Sequence, residues 1–283
     1  MVAMDISTEQ LRLMNTGDFT AALELSCAAG WNQTYEDWHM LLEVAPDGCF
    51  GIEADGRLVA TTTLLCYEQR LAWIGMVLTH PKYRGRGFAR RLVCAALDRV
   101  DSLGIEIVKL DATEQGRSLY SDLGFQAEQA VERWFRSEML QSQTPDSRSS
   151  GLEHPLSLPQ TTRDLDAQAF GADRSTMLQK LVQRSNLYSS PDAFLFARAG
   201  CATEYLGPCV AADPAAARAI IATLINASHS SWSWDLLPAS QSAVSLASEL
   251  GFTRQRSLTR MVRGKPLRGR EDMIYAIAGF ELG

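Results

Sequence analysis

A strongly apolar segment, a glycine-rich basic turn and a periodic helical pattern follow one another within residues 71–100. Residues 71–78 are almost continuously apolar, which predicts a central strand that is covered on both faces. Residues 84–89 (Arg-Gly-Arg-Gly-Phe-Ala) come next, and apolar residues then recur at helical spacing up to Val100. A helix that begins at a glycine turn directs free N–H groups and the positive end of its dipole at that turn. The segment therefore predicts an anion-binding strand–turn–helix unit.

Two common phosphate-binding loops do not fit this segment. The Walker loop requires G-x-x-x-x-G-K-[ST], which the chain lacks. The dinucleotide fingerprint requires G-x-G-x-x-G close after its strand, whereas residues 79–83 intervene here and no third glycine follows. Taken alone, the six residues also fit a solvated basic turn.

The rest of the first half predicts a mixed α/β domain. Apolar spacing predicts helices over residues 18–29 and 35–44, and an Asp-Gly turn joins residues 49–53 and 58–67 as a hairpin. After a helix stop at Gly104, the pattern predicts a strand over 105–110, a short helix over 114–123 and a last strand over 130–135.

Residues 84–89 match [QR]-x-x-G-x-[GA], which is motif A of the GNAT acetyltransferase superfamily, and the preceding His80-Pro81 pair also occurs often in that family. The order of predicted elements over residues 11–136 resembles the GNAT order as well. The resemblance implies that acetyl-CoA is the cosubstrate, with its pyrophosphate on the loop amides and its pantetheine arm along the end of the central strand. The cofactor-binding residues that it implies are Val77, Leu78, Thr79, Arg84, Gly85, Arg86, Gly87, Phe88 and Ala89.

A second segment, residues 119–125 (Leu-Tyr-Ser-Asp-Leu-Gly-Phe), is similar to the family pattern L-Y-x-x-L-G-F. The resemblance implies that Tyr120 is the catalytic general acid, because a phenol within reach can protonate or stabilise the departing CoA thiolate. A packed helical tyrosine is the alternative. This chain has Thr113 where the family often has asparagine, so no side-chain contact to the cofactor is carried over there.

Transfer to an amine also needs a base, because amines are mainly protonated at neutral pH. The central strand carries no acidic residue, and the sequence leaves the base open among a water chain and Glu36, Asp37, His39, His80 and Asp111. The candidate substrate-binding residues lie where GNAT proteins form the acceptor cleft, with core packing as the alternative. They are Trp31, Tyr35 and Trp38.

The polar, aperiodic stretch after Glu138 predicts a linker at 139–155 between a catalytic domain at 1–138 and a second domain at 156–283. Residues 113–125 align without gaps to residues 240–252, with six of thirteen positions identical. The fold class is therefore α/β (α+β), with two GNAT-like domains in tandem. Each is expected to have a mixed, mostly antiparallel central sheet flanked by helices.

The second copy lacks the residues that would bind the cofactor. A strand over 205–212 and a helix over 217–225 flank Asp213-Pro214 and alanines instead of the glycine turn, and Ala247 replaces Tyr120. An acidic helix start also repels a phosphate. The Arg268-Gly269-Arg270 triplet predicts a surface turn before a terminal strand at 273–280. Three roles stay open for this copy, namely completing the acceptor cleft, stabilising the first domain and mediating homodimerisation.

Charge and residue composition limit the classes of partner that the chain is expected to bind. A net charge of -6 and a pI near 5.3 argue against a nucleic-acid partner and favour a cationic one. The six cysteines form no C-x-x-C pair and predict core positions, and the four histidines are too dispersed for a zinc site, so no metal is expected. Residues 1–10 do not resemble a signal peptide, and no apolar run reaches the roughly 18 residues of a membrane span, which predicts a cytoplasmic protein without a membrane partner.

The sequence thus predicts an acetyl-CoA-dependent N-acetyltransferase that transfers the acetyl group directly to an amine of a small molecule or peptide, with no covalent enzyme intermediate. The alternative, from a different functional class, is an acyl-CoA-binding sensor or regulatory module without turnover.

Overall fold

Secondary structure follows the predicted order in the first half, and the second half contains the predicted strand–helix pair around Asp213-Pro214. The computed structural model describes residues 9–138 and 157–283, so the predicted linker at 139–155 lies outside the described residues. The first half forms β1 (Gln10–Leu13), α1 (Phe19–Ala28), α2 (Tyr35–Val44), β2 (Cys49–Ala54), β3 (Arg57–Tyr67), β4 (Leu71–Thr79), α3 (Phe88–Ser102), β5 (Ile107–Ala112), α4 (Arg117–Asp122) and β6 (Gln126–Arg136). The second half forms α5 (Gln160–Phe170), α6 (Ser175–Val182), β7 (Asn186–Ser190), β8 (Ala193–Arg198), β9 (Glu204–Ala211), α7 (Pro214–Asn226), β10 (Trp232–Leu236), α8 (Gln241–Glu249), β11 (Thr253–Arg263) and β12 (Ile274–Ala276).

The predicted fold class is confirmed, because a mixed, mostly antiparallel sheet is flanked by helices. Strands β4 and β5 pair in parallel, as do β9 and β10, and the other pairings are antiparallel. The predicted terminal strand at 273–280 is shorter than expected. It ends at Ala276, and the chain then turns into a C-terminal tail, residues 277–283.

The two halves share one continuous sheet because they exchange strands. The strand order is β1-β2-β3-β4-β5-β11-β6-β10-β9-β8-β7, and β12 pairs with β9. Strand β11 of the second half thus lies between β5 and β6 of the first half, and β6 in turn pairs with β10. Neither half completes its sheet without a strand from the other.

Two buried ion pairs fix the register of this exchange. Arg260 on β11 lies directly opposite Asp111 on β5 and binds both of its carboxylate oxygens, at 2.9 and 3.0 Å. Arg133 on β6 lies opposite Asp235 on β10 and binds it in the same way, at 2.7 and 2.6 Å. All four side chains are almost inaccessible to solvent. A slip of one residue would turn these charges to the other face and leave them unpaired, at a cost of several kcal/mol each.

The C-terminal tail is held by hydrogen bonds from both halves. In the first half, the Trp73 indole donates to the carbonyl of Phe280 at 2.9 Å, and the Tyr67 hydroxyl donates to that of Leu282 at 2.7 Å. In the second half, Arg174 donates to the carbonyl of Gly283 and Arg198 to that of Ala278, each at 2.7 Å. The tail therefore lies across β4, at the junction of the halves.

The sequence predicts that the cysteines lie in the core. All six cysteines are free, but Cys27, Cys66 and Cys201 are exposed, so the predicted core position is wrong for these three. Within residues 9–138 and 157–283, no group of histidine, cysteine and acidic side chains could hold a metal ion. In the same residues, no helix combines the length and apolar character needed to cross a bilayer.

The seam is the junction where β11 and β10 pair with β5 and β6, and its two buried ion pairs are Arg260–Asp111 and Arg133–Asp235. Removing one charge of either pair should destabilise the protein strongly. We expect Asp235→Asn to lower the free energy of unfolding by about 3–5 kcal/mol, because it leaves Arg133 buried without a counterion. The matched control is Glu249→Gln, which breaks an exposed pair with Arg218 and should change stability by less than about 1 kcal/mol. Urea unfolding measures both values, and similar losses would contradict the structural importance of the seam.

Strand exchange also predicts that the halves fold together. Residues 1–138 produced alone would leave one edge of β5 and both edges of β6 unpaired, and such edges favour aggregation. We expect this fragment to aggregate or self-associate, and to co-purify with residues 139–283 when both are produced in one cell. A monomeric, folded 1–138 fragment in size-exclusion chromatography would contradict the exchange.

Candidate functional site

A bulge in β4 opens the sheet at the predicted cofactor site. Strands β4 and β5 pair only along residues 71–73 and 107–109 in the described chain, and they diverge beyond Trp73. Met76 has a positive φ of 49°, and the register against β3 shifts at this point. The Thr61 hydroxyl donates to the carbonyl of Met76 at 2.8 Å, and that of Thr62 to the carbonyl of Gly75 at 3.2 Å. The edge of β4 that faces β5 is thereby left free to bind an extended ligand.

The glycine turn leaves the start of α3 uncapped and open. Gly85 and Gly87 both have a φ of +77°, a backbone conformation that strains other residues. Gly87 is the N-cap of α3, and no side chain caps this helix. Nothing in the described protein lies within 4 Å of a Cβ built on either glycine. The first-turn N–H groups therefore have no side-chain cap, and the glycines leave room for an anion that can accept their hydrogen bonds.

These two features border one cleft of about 750 Å³, a size typical of small-molecule sites. It brings together eight of the nine predicted cofactor residues, together with Trp31, Thr113 and Tyr120. Arg86 is the exception. Its guanidinium lies over the Tyr83 ring at 4.9 Å and 3.9 Å from Glu9. Arg84 lines the cleft and donates to the carbonyl of Thr79 at 3.4 Å.

Tyr120 lines both this cleft and an adjoining smaller chamber of about 80 Å³. Its side chain is 7% exposed. Burial raises the pKa of the Tyr120 hydroxyl well above its usual value near 10. At neutral pH this hydroxyl is therefore a proton donor and not a phenolate.

The small chamber, called the acceptor chamber because Trp31 of the predicted substrate-binding residues lines it, is lined by residues from both halves. Trp31, Met76 and Val77 contribute from the first half, and Arg256 and Glu281 contribute from the second. The amide of Gln33 donates to Glu281 Oε2 at 3.2 Å. Two of its lining residues, Gln33 and Arg256, each have a buried polar atom, Oε1 and Nε, without a hydrogen-bond partner among the described residues.

The predicted aromatic wall reduces to Trp31. Trp38 is 1% exposed and donates to the Ser26 hydroxyl at 2.9 Å within the core. Tyr35 is 45% exposed and packs edge-on against Phe19. Neither borders the cleft or the acceptor chamber. Trp38 thus lies on the face of α2 that packs into the core, and Tyr35 lies on its exposed side.

The five candidate bases occupy different environments. Asp111 borders the acceptor chamber but is held by Arg260. Asp37 belongs to the capping box of α2, His80 caps the turn that follows β4, and His39 contacts Arg184. Glu36 lies on the exposed face of α2. None of these presents an unpaired carboxylate or imidazole to Tyr120.

The equivalent places in the second half are filled by its own residues. Asp213 caps α7 by accepting from the N–H groups of Ala215 and Ala216, at 2.8 and 2.9 Å. Beyond the β9–β10 pairing, which ends at Leu206, strand β12 pairs with β9 where β4 has a free edge. Ala247 is fully buried at the position that matches Tyr120. A larger open hollow of about 960 Å³ beside Tyr188 and Trp232 contains none of the predicted site residues.

Sequence reasoning missed Gln33, Arg256 and Glu281. These residues are more than two hundred positions apart at the extremes, and no local motif marks them. The loop that carries Gln33 is also fixed by the second half, since the Asn32 amide donates to the carbonyl of Thr203 at 2.9 Å. A contact between such distant segments could only be found in the folded structure.

Comparison with known proteins agrees with this architecture. A family model described as "Acetyltransferase (GNAT) family" matches residues 17–125, and one described as "Acetyltransferase (GNAT) domain" matches residues 162–276. The uncharacterized N-acetyltransferase YitH of Bacillus subtilis is 29% identical over 186 residues, which are 64% of this chain and 63% of that protein. The chain thus matches somewhat less than two thirds of the length of this curated relative.

Solved structures show the same fold. A candidate acetyltransferase from Pyrococcus horikoshii superposes with a TM-score of 0.85 and 22% identity, covering 100% of this chain and 99% of the other. A tandem GNAT protein from the clavulanic acid biosynthesis pathway superposes with a TM-score of 0.61 and 13% identity, covering 92% and 99%. With a GNAT model matched in each half, this chain belongs to the GNAT acetyltransferase family and carries two GNAT domains in tandem.

Proposed function

We propose that this protein is an acetyl-CoA-dependent N-acetyltransferase that transfers the acetyl group directly to an amine, at one CoA site in the first domain. The observation that carries this proposal is the cleft where the free edge of β4, the uncapped start of α3 and Tyr120 meet. The uncapped helix start suits a phosphate, and the free strand edge suits an amide-containing arm, so the cleft fits a long ligand that has both. CoA has this chemistry.

Each part of CoA has a matching surface in the cleft. The pyrophosphate accepts hydrogen bonds from the first-turn N–H groups of α3, with Arg84 adding positive charge. The amides of the pantetheine arm pair with the free edge of β4 at Val77 and Thr79, as an added strand would. This arrangement directs the thioester towards Tyr120 and the acceptor chamber.

The reaction needs an attacking amine and a stabilised leaving group. The amine nitrogen attacks the thioester carbonyl carbon, and the tetrahedral intermediate then loses the CoA sulfur as the C–S bond breaks. Tyr120 keeps its proton at neutral pH because burial raises its pKa. Its hydroxyl therefore donates a hydrogen bond to the developing thiolate and supplies the proton that yields the CoA thiol.

The second domain, residues 156–283, acts as a structural copy that completes the acceptor chamber. Its helix start is occupied by Asp213, and its strand edge is occupied by β12. It contributes Arg256 and Glu281 to the chamber beside Tyr120. The first domain, residues 1–138, carries the cofactor loop, and an amine of a small molecule or peptide is the acceptor.

The cofactor loop can be tested with two glycines of the same backbone conformation. Gly87→Val should weaken CoA binding by at least tenfold, because it strains the loop and places a side chain in front of the helix N-terminus. Gly104, with a φ of +67°, ends the same helix at the far side and also faces open space. Gly104→Val should lose comparable stability but keep CoA affinity. Calorimetric titration with CoA measures both, and equal affinities would refute the loop assignment.

The role of Tyr120 can be tested with a second tyrosine of the cleft. Tyr120→Phe should lower kcat by about 10²–10⁴-fold, the range for loss of a general acid, with unchanged CoA affinity. The control is Tyr83→Phe, whose hydroxyl donates to Asp55 and faces no reacting group. Release of free thiol from acetyl-CoA is measured with a panel of amines. CoA binding without thiol release on any amine would identify a sensor and overturn the enzymatic proposal.

A further inference from the structure

The C-terminal tail places Glu281 in the wall of the acceptor chamber. A Cβ built on Gly75 of β4 would lie 2.8 Å from the Glu281 Cα and 2.9 Å from its carbonyl oxygen. The tail backbone is thus in direct contact with the strand that carries the bulge. Glu281 is 5% exposed and lines the chamber together with Met76, Val77 and Tyr120.

Glu281 differs from the other buried acids at the seam because no arginine holds it with two short hydrogen bonds. Asp111 and Asp235 are each bound in this way. The Arg198 guanidinium lies 3.9 Å from Glu281 Oε1, and its short hydrogen bonds go to the carbonyls of Gly207 and Ala278. The Glu281 carboxylate therefore keeps the capacity to accept a proton.

Electrostatic surroundings place its titration near neutral pH. Burial raises the pKa of Glu281 to about 7, mainly through loss of solvation, with Arg198 and Arg133 opposing the shift and Asp37 adding to it. The other charged or titratable groups that interact with it are Tyr67, Tyr205 and Arg256. A base with such a pKa is largely ionised at slightly alkaline pH and can still accept a proton from an amine.

Gln33 gives the chamber a second acceptor beside the carboxylate. Its Nε2 donates to Glu281 Oε2, while its Oε1 is buried without a donor among the described residues. A primary ammonium carries three N–H donors and can use both acceptors at once. The pair therefore suits a cationic amine rather than an alcohol or an anion.

We propose that Glu281, supplied by the second domain, is the general base that deprotonates the acceptor amine in the site of the first domain. The proposal rests on the acetyltransferase function proposed above. It makes Glu281 a catalytic residue, because its carboxylate contacts the nitrogen that attacks. The second domain then contributes chemistry to the reaction although it binds no cofactor.

The proton balance of the reaction assigns a separate role to each group. Glu281 takes one proton from the ammonium, and the freed lone pair forms the bond to the thioester carbon. As the C–S bond breaks, Tyr120 gives its proton to sulfur, and the second proton lost by nitrogen restores the hydroxyl. Glu281 releases its proton to solvent. One ammonium and one acetyl-CoA thus give one amide, one CoA thiol and one proton.

The decisive test is the pH dependence of kcat/KM for Glu281→Gln, with the fastest primary alkylamine of the panel as the acceptor. The wild type should show an acidic limb with a midpoint near 7. In the variant only the neutral amine reacts, so the limb should move to the pKa of the amine itself, about 10. The rate at pH 7 should fall about 10²–10⁴-fold. Glu249→Gln, an exposed acid on α8, should keep the wild-type profile.

Two further measurements separate catalysis from folding. CoA affinity and the melting temperature show whether Glu281→Gln is folded, and Glu281→Asp retains a carboxylate and should keep a limb near neutral pH. If Glu281→Gln does not fold, Glu281→Asp decides the matter. A shortened base must lose rate, so a wild-type rate with an unshifted limb in Glu281→Asp would overturn the proposal.

The pH dependence of stability gives a second readout. Because its pKa is raised in the folded protein, Glu281 stabilises the fold below its unfolded pKa. This contribution is lost as the pH rises from about 4.5 through about 7, and Glu281→Gln should remove that loss.

The outcomes distinguish this proposal from the proposed function. Thiol release by the wild type together with an unchanged profile in folded Glu281→Gln would overturn the role of Glu281 and leave the acetyltransferase standing. Absence of thiol release by the wild type with every amine would overturn both.

Discussion

The insertion of β11 between β5 and β6 is the constraint on which the rest of the structure depends. It joins two sheets into one and places Arg260 opposite Asp111, while β6 places Arg133 opposite Asp235. Because these charges are buried, only one register lets the halves meet without leaving a charge unpaired. That register carries the C-terminal tail onto Gly75, and the acceptor chamber is formed there.

The two copies show how one frame keeps an open cleft in one half and closes the equivalent places in the other. Both contain a parallel strand pair that diverges and a helix that starts at the point of divergence. In the first copy, glycine leaves the helix N–H groups free and β4 keeps an open edge. In the second, Asp213 binds those groups and β12 pairs with β9. Protein atoms thus fill in the second copy the two places that stay open in the first, and the fold is unchanged.

Local sequence patterns predicted the elements that carry their own signal. The glycine turn, the apolar run of β4 and the repeat ending in Leu-Gly-Phe each depend on neighbours within about fifteen residues, so most residues that line the cleft were accessible to sequence reasoning. Trp38 and Tyr35 were not, because the direction of a side chain on α2 depends on what packs against that helix. Glu281, which we propose as the base, was missed for the same reason, since none of the predicted site residues lies near it in the sequence.

The sequence by itself determined that the chain contains two related α/β units, and that the first has a turn whose backbone can bind an anion while the second does not. These properties follow from backbone preferences and side-chain periodicity, which act over short distances. The tertiary structure decided that the units exchange strands, and that the acceptor chamber is built by both. Buried charges, strand register and the docking of the tail depend on contacts between residues far apart in the chain, and such contacts exist only once the sheet has closed.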